Sequence, residues 1–128
     1  MMKKSIEQDF VVLSPAKKAT IEKKDASLYE RIGANYGDFS GYELTACYDF
    51  TEDWPTWEIH PKGDETVILL AGKITFVLKL DRGEKLVTLD KQSDYIVVPR
   101  NTWHTAKVSD PCKVLFITPG EGTENKNV

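Results

Sequence analysis

Between residues 42 and 118 the chain is cut into short segments in which apolar and polar side chains alternate. Tyr42, Leu44, Ala46, Tyr48 and Phe50 alternate with Glu43, Thr45, Cys47 and Asp49. Successive side chains on a strand point to opposite faces, so a period of two marks a half-buried strand. Further strands are predicted at residues 57–60, 66–70, 73–80, 85–89, 95–98, 104–108 and 113–118, separated by Ala71-Gly72, Asp81-Arg82-Gly83-Glu84 and Pro99-Arg100-Asn101-Thr102. Many short strands punctuated by turn residues point to an all-β sandwich or barrel rather than a helical or α/β fold.

The flanks read differently. Residues 1–40 are expected to form an N-terminal arm on a barrel spanning 41–119, with 120–128 as a polar, mobile tail, one domain in all. In the arm, Phe10-Val11-Val12-Leu13 reads as a short strand that Ser14-Pro15 ends. Ser27-Leu28-Tyr29-Glu30 reads as a capping box opening one short helix over 27–32, with Gly33 as its stop. In the segment 65–70, Val67 and Leu69 share one face while Ile68 and Leu70 share the other; Val114 and Phe116 alternate with Leu115 and Ile117 in the same way. A sheet apolar on both faces needs a second cover. The arm or a second copy of the chain can supply it, and a homodimer is expected.

The net charge of −3 and the absence of a basic stripe argue against nucleic acid as a partner. The lysines near the N-terminus are mixed with acids and read as a solvated surface. No apolar run reaches membrane-spanning length, and Glu7 and Asp9 interrupt any leader-like segment. Cys47 and Cys112 lack metal or redox spacing. They read as buried reduced thiols, consistent with a cytoplasmic protein.

The chain has two histidines, and each stands where a strand meets a tight turn. His60 lies in Glu58-Ile59-His60-Pro61-Lys62-Gly63-Asp64-Glu65, and His104 ends Pro99-Arg100-Asn101-Thr102-Trp103-His104. Glu58 and His60, two apart, project from one face. The turn at 61–64 can return Glu65 beside His60, and a later hairpin can bring in His104. Asn101 is the turn residue best able to take positive φ without being glycine. Four ligand-type side chains can thus converge in a barrel mouth.

These segments resemble the two motifs of the cupin superfamily. The first, His-x-His, three or four residues, Glu, six residues, Gly, is matched by Glu58-Ile59-His60, four residues, Glu65, six residues, Gly72. The second, Pro-x-Gly-x-x-His, is matched by Pro99 to His104 with Asn101 in the glycine position. The resemblance covers residues 42–118 and implies a cupin-type double-stranded β-helix, a jelly-roll barrel. It also implies that His60, Glu65 and His104 are metal ligands. Glu58 departs from the pattern, standing where a histidine is usual; it is a candidate fourth ligand or a catalytic general base. As a base it would need its pKa raised by an apolar barrel. Two imidazoles and two carboxylates suit Fe(II), Mn(II), Zn(II) or Ni(II).

Three functions fit these residues: a metal-dependent enzyme acting on a small organic molecule, a non-catalytic ligand-binding or sensing module without metal, and a structural dimer with a vestigial cavity. Trp57 and Trp103 adjoin candidate ligands, so alternation puts them on the opposite face. Phe76 is expected in the barrel lining, Tyr48 and Tyr95 at its rim, and Arg100 in a solvated turn.

Overall fold

The computed structural model describes residues 2–128. Its strands are β1 (Asp9–Leu13), β2 (Ala19–Lys23), β3 (Glu43–Phe50), β4 (Thr56–Ile59), β5 (Glu65–Ala71), β6 (Ile74–Leu80), β7 (Gly83–Leu89), β8 (Tyr95–Val98), β9 (His104–Lys107), β10 (Cys112–Thr118) and β11 (Glu124–Asn127). One helix, α1 (Leu28–Asn35), separates β2 from β3. All pairings are antiparallel. They build a six-stranded sheet of order β2-β1-β3-β10-β5-β8 and a five-stranded sheet of order β11-β4-β9-β6-β7.

The period-two pattern decides which side chains meet between the sheets. Val67, Leu69, Val114 and Phe116 point inward and are buried against Ile74, Phe76, Leu78 and Ala106 of the facing sheet. Burial of this kind stabilises by roughly 25 cal/mol per Å² of apolar surface and is the main term holding the layers together. Gly72 turns β5 into β6 at φ +81°, and a Cβ there would lie 2.1 Å from the Pro111 carbonyl oxygen, so the turn admits only glycine.

A second cluster joins the arm to the barrel. Phe10 and Val12 of β1 pack with Leu28 of α1, Phe39, and Leu44 and Ala46 of β3. The arm therefore covers the extended inner face of the six-stranded sheet. Leu70 and Leu115 also pack against this cluster. Ile21, Tyr95 and Val97 stay exposed.

Four expectations are corrected. The capping box does not form: Ser27 makes no side-chain cap bond, and its N–H, which Glu30 was to receive, donates instead to Asp25 Oδ1 at 3.0 Å. The helix runs through Gly33 to Asn35 rather than stopping at 32. The arm holds a second strand, β2, in a stretch read as a charged surface. It pairs with β1 in full register, and its Glu22 receives Arg31 and Tyr36 from the helix region. The C-terminal stretch read as a mobile tail ends in β11, which pairs with β4 from Glu124↔Ile59 to Asn127↔Thr56. Cys47 and Cys112 are free and buried, as expected. No helix among the described residues is long and apolar enough to cross a membrane.

Candidate metal centre

Two neighbouring strands and two turns set the site. Glu58 of β4 stands directly opposite His104, the first residue of β9. His60 follows the end of β4, and Glu65 opens β5. Backbone bonds lock the two turns together: the Asn101 N–H donates to the His60 carbonyl at 2.9 Å, and the Arg100 N–H donates to Asp64 Oδ1 at 2.8 Å. Asn101 takes φ +61°, the left-handed geometry its position was expected to require.

These constraints gather all four side chains. His60 Nε2 lies 3.5 Å from Glu58 Oε1 and 3.4 Å from Glu65 Oε2. His104 Nε2 lies 3.8 Å from Glu58 Oε1 and 3.2 Å from Glu65 Oε1. One ligand atom each from Glu58, His60 and His104 fall within 4.8 Å of one another. Ligand atoms each about 2.1 Å from a shared ion sit about 3.0–3.4 Å apart in octahedral or tetrahedral sets, so each Glu65 contact, through a different oxygen for each histidine, has that spacing and those with Glu58 are slightly wider.

Hydrogen bonding decides which atoms face the centre. Thr123 Oγ1 donates its one proton to the Gly120 carbonyl at 2.9 Å, so toward His60 Nδ1, 2.8 Å away, it accepts. His104 Nδ1 lies 3.0 Å from the Thr102 carbonyl, which only accepts. Both rings therefore carry a proton on Nδ1 and turn Nε2 inward. The Thr118 hydroxyl donates to Glu65 Oε2 at 2.6 Å, leaving Oε1 free. His60 Nε2, His104 Nε2 and Glu65 Oε1 are buried without a hydrogen-bond partner. Buried polar atoms are rarely left so, and three in one cluster fit a cation. Carbonyl or hydroxyl partners on the far ring nitrogens are the usual supports of metal-binding histidines.

Charge tells the same story in the cation's absence. Burial opposes a charge on His60, but the carboxylates of Glu58 and Glu65 outweigh it and raise the pKa to about 9. Burial would also keep Glu65 protonated, yet His104 and His60 bring it down to about 2. Glu58 differs: its side chain is 32 % exposed against 3 % for Glu65. The apolar enclosure expected around Glu58 is therefore incomplete.

No family model and no curated protein matches the chain in sequence. Solved structures do match in shape. A cupin-2 domain protein from Shewanella frigidimarina aligns at 21 % identity and a TM-score of 0.52, over 60 % of this chain and 70 % of its own. Oxalate decarboxylase from Bacillus subtilis, a protein with Mn(II) centres, aligns at 15 % identity and a TM-score of 0.54 over 67 % of this chain. The fold is that of the cupins. Hydroquinone 1,2-dioxygenase from Sphingomonas sp. TTNP3, solved with 4-hydroxybenzoate bound, shares it at 14 % identity, a TM-score of 0.51 and 67 % coverage of this chain. The aligned part is 24 % of the decarboxylase and 60 % of the dioxygenase.

Within this cupin barrel a cavity of about 800 Å³ opens onto Glu58, His60 and Glu65. Tyr29 and Ile32 of α1 line it together with Phe39, Tyr48, Phe50, Trp54 and Phe116. Tyr48 thus reaches the cavity, whereas Tyr95 is 64 % exposed on the outer face. Trp57 and Trp103 turn away from the centre, each beneath a lysine, Lys79 and Lys126, at 4.3 and 4.2 Å. Phe76 is buried in the core and Arg100 sits in its turn, as expected. The residues missed in the sequence are Thr102, Thr118 and Thr123, which hold the ligands. Threonines carry no motif of their own, and only the return of the C-terminus to β4 brings Thr123 to His60.

Proposed function

We propose that this chain binds one divalent transition metal through His60, Glu65 and His104, with Glu58 as a fourth ligand, and takes a small organic molecule in the adjoining cavity. The observation carrying this reading is the clustering of three buried, unpartnered ligand atoms, each on a side chain backed by a hydrogen bond on its other side. Fe, Mn, Zn and Ni all accept such a mixed nitrogen and oxygen set. A metal there supplies Lewis acidity to a molecule in the cavity.

The chain's own residues divide the remaining work. Thr123, Thr118 and Thr102 orient the ligands. The aromatic walls exclude water and hold the guest. Glu58, the most exposed of the four and facing the cavity, is the group placed to accept a proton from a bound molecule. In catalysis it acts as general base; in a sensing role it is a ligand alone.

A metal-free binding module is the second reading, favoured by the mutual compensation of His60 and Glu65 without a cation. Metal analysis of the native protein and of His60→Ala separates the two. One equivalent lost in the variant supports the metal centre; an equal content in both marks adventitious binding.

The same proposal includes a homodimer and a cytoplasmic location. Ile21, Tyr95 and Val97 are exposed apolar side chains at opposite ends of the six-stranded sheet, and a second copy is the simplest cover for the Tyr95 edge. Two unpaired buried cysteines suit a reducing compartment.

A further inference from the structure

We infer that the cavity selects an uncharged aromatic compound carrying an oxygen substituent. This rests on the reading above that the cavity beside Glu58 is the ligand site, and it adds the chemical class of the occupant.

Shape comes first. Tyr48, Phe50, Trp54 and Phe116 form one continuous aromatic wall. Phe50 is 5.4 Å from Trp54 and 6.0 Å from Phe116, ring centre to ring centre, the latter pair at 87°. Tyr48 is 6.4 Å from Phe50, and Trp54 is 6.2 Å from the His104 ring. The wall therefore reaches the His104 ring of the metal centre and offers both ring faces and ring edges. A flat ring compound can stack or meet edges along it, and each such contact is worth several-fold to about tenfold in affinity. About 800 Å³ holds a one- or two-ring molecule comfortably.

Charge comes second. Among the described residues no lysine or arginine lines the cavity, whereas Asp49, Glu52, Asp53, Glu58 and Glu65 do. A carboxylate or phosphate ligand would be desolvated with no free cation to receive it. The metal does not repair this. Two neutral imidazoles, two carboxylates and a divalent ion sum to zero, because Glu58 adds a second negative charge to the set. The loaded centre offers no surplus positive charge to an anion.

The polar handle comes third. The hydroxyls of Tyr29 and Tyr48 lie 2.5 Å apart beside the cavity. One proton lies between them, and the other is free to donate to an oxygen on the guest.

The test compares 2-naphthol with 2-naphthoate, matched in shape and differing in charge at pH 7, by calorimetric titration of chelator-treated protein and of protein reloaded with Zn(II). The expected result is a Kd for 2-naphthol at least tenfold below that for 2-naphthoate in the metal-free protein, with 2-naphthol still preferred after loading. Phe50→Leu keeps apolar bulk without the ring and should weaken 2-naphthol several-fold; circular dichroism and thermal unfolding establish that the variant is folded. Equal binding of the two probes, preference for the carboxylate, or no binding of either overturns the inference, as does a folded Phe50→Leu with unchanged affinity. Metal content is measured separately. Naphthol preference without any metal site sinks only the metal reading; a stoichiometric metal without naphthol preference sinks only the aromatic one.

Discussion

Thr123 holds His60 from 63 positions further along the chain: its hydroxyl oxygen accepts the Nδ1 proton at 2.8 Å and turns Nε2 toward the cluster. The threonine is itself fixed by its bond to the Gly120 carbonyl. A C-terminal segment that reads as a polar tail therefore sets the orientation of a candidate ligand.

Thr123→Val removes that acceptor while keeping the shape. Metal affinity is expected to fall roughly 10–100-fold, with little change in folding stability, since Thr123 itself is exposed. Thr123→Ser should restore most of the affinity. Competition against a chromophoric chelator measures both. Unchanged affinity in the valine variant would remove Thr123 from the supporting shell.

Asn101 sits at φ +61° and ties its turn to His60 through its backbone N–H. Asn101→Gly should leave stability within about 0.5 kcal/mol of the native value, whereas Asn101→Val should cost about 1–3 kcal/mol through strain in the left-handed region. Urea unfolding measures the difference. Equal stability of the two variants would show that the turn geometry is not constraining.

The metal-free protein should have a specific pH profile. The pKa of His60 is raised from 6.5 to about 9, so its contribution is fully present below 6.5 and is lost as pH rises through 9. That of Glu65 is lowered from 4.5 to about 2, so its contribution is present above 4.5 and is lost as pH falls through 2. Stability of chelator-treated protein should therefore be greatest between 4.5 and 6.5 and decline toward 9. Metal binding must displace the proton on His60, so affinity should rise with pH across the same upper range. Urea midpoints that stay flat from 6.5 to 9 would contradict the coupling of His60 to its carboxylates.

Val97 is 48 % exposed on the edge strand β8. If a second copy covers this edge, Val97→Asp should convert dimer to monomer in sedimentation experiments without lowering the thermal midpoint of the monomer. A native protein that sediments as a monomer at high micromolar concentration would exclude the dimer.

Much of this fold was legible in the sequence for a physical reason. Strands buried on one face must alternate, and the β3 segment does so except at the buried Cys47. The four candidate ligands were legible because a two-residue spacing and a short turn leave little freedom in where Glu58, His60 and Glu65 point. Other features depended on tertiary choices. The strand β2 is half charge, and its pairing with β1 decides its conformation. Glu30 lost its reach-back role in the capping box because Asp25 takes the Ser27 N–H. β11 is exposed along its length and carries no hydrophobic signal; backbone pairing with β4, with Lys126 over Trp103, places it.

Anomalous diffraction from crystals of the metal-loaded protein tests the metal centre most directly. One peak is expected, about 2.0–2.2 Å from His60 Nε2, His104 Nε2 and a Glu65 oxygen, with Glu58 moved in to join them, and it should vanish in His104→Ala. A peak elsewhere on the surface, or none at full loading, would contradict a metal centre in this barrel.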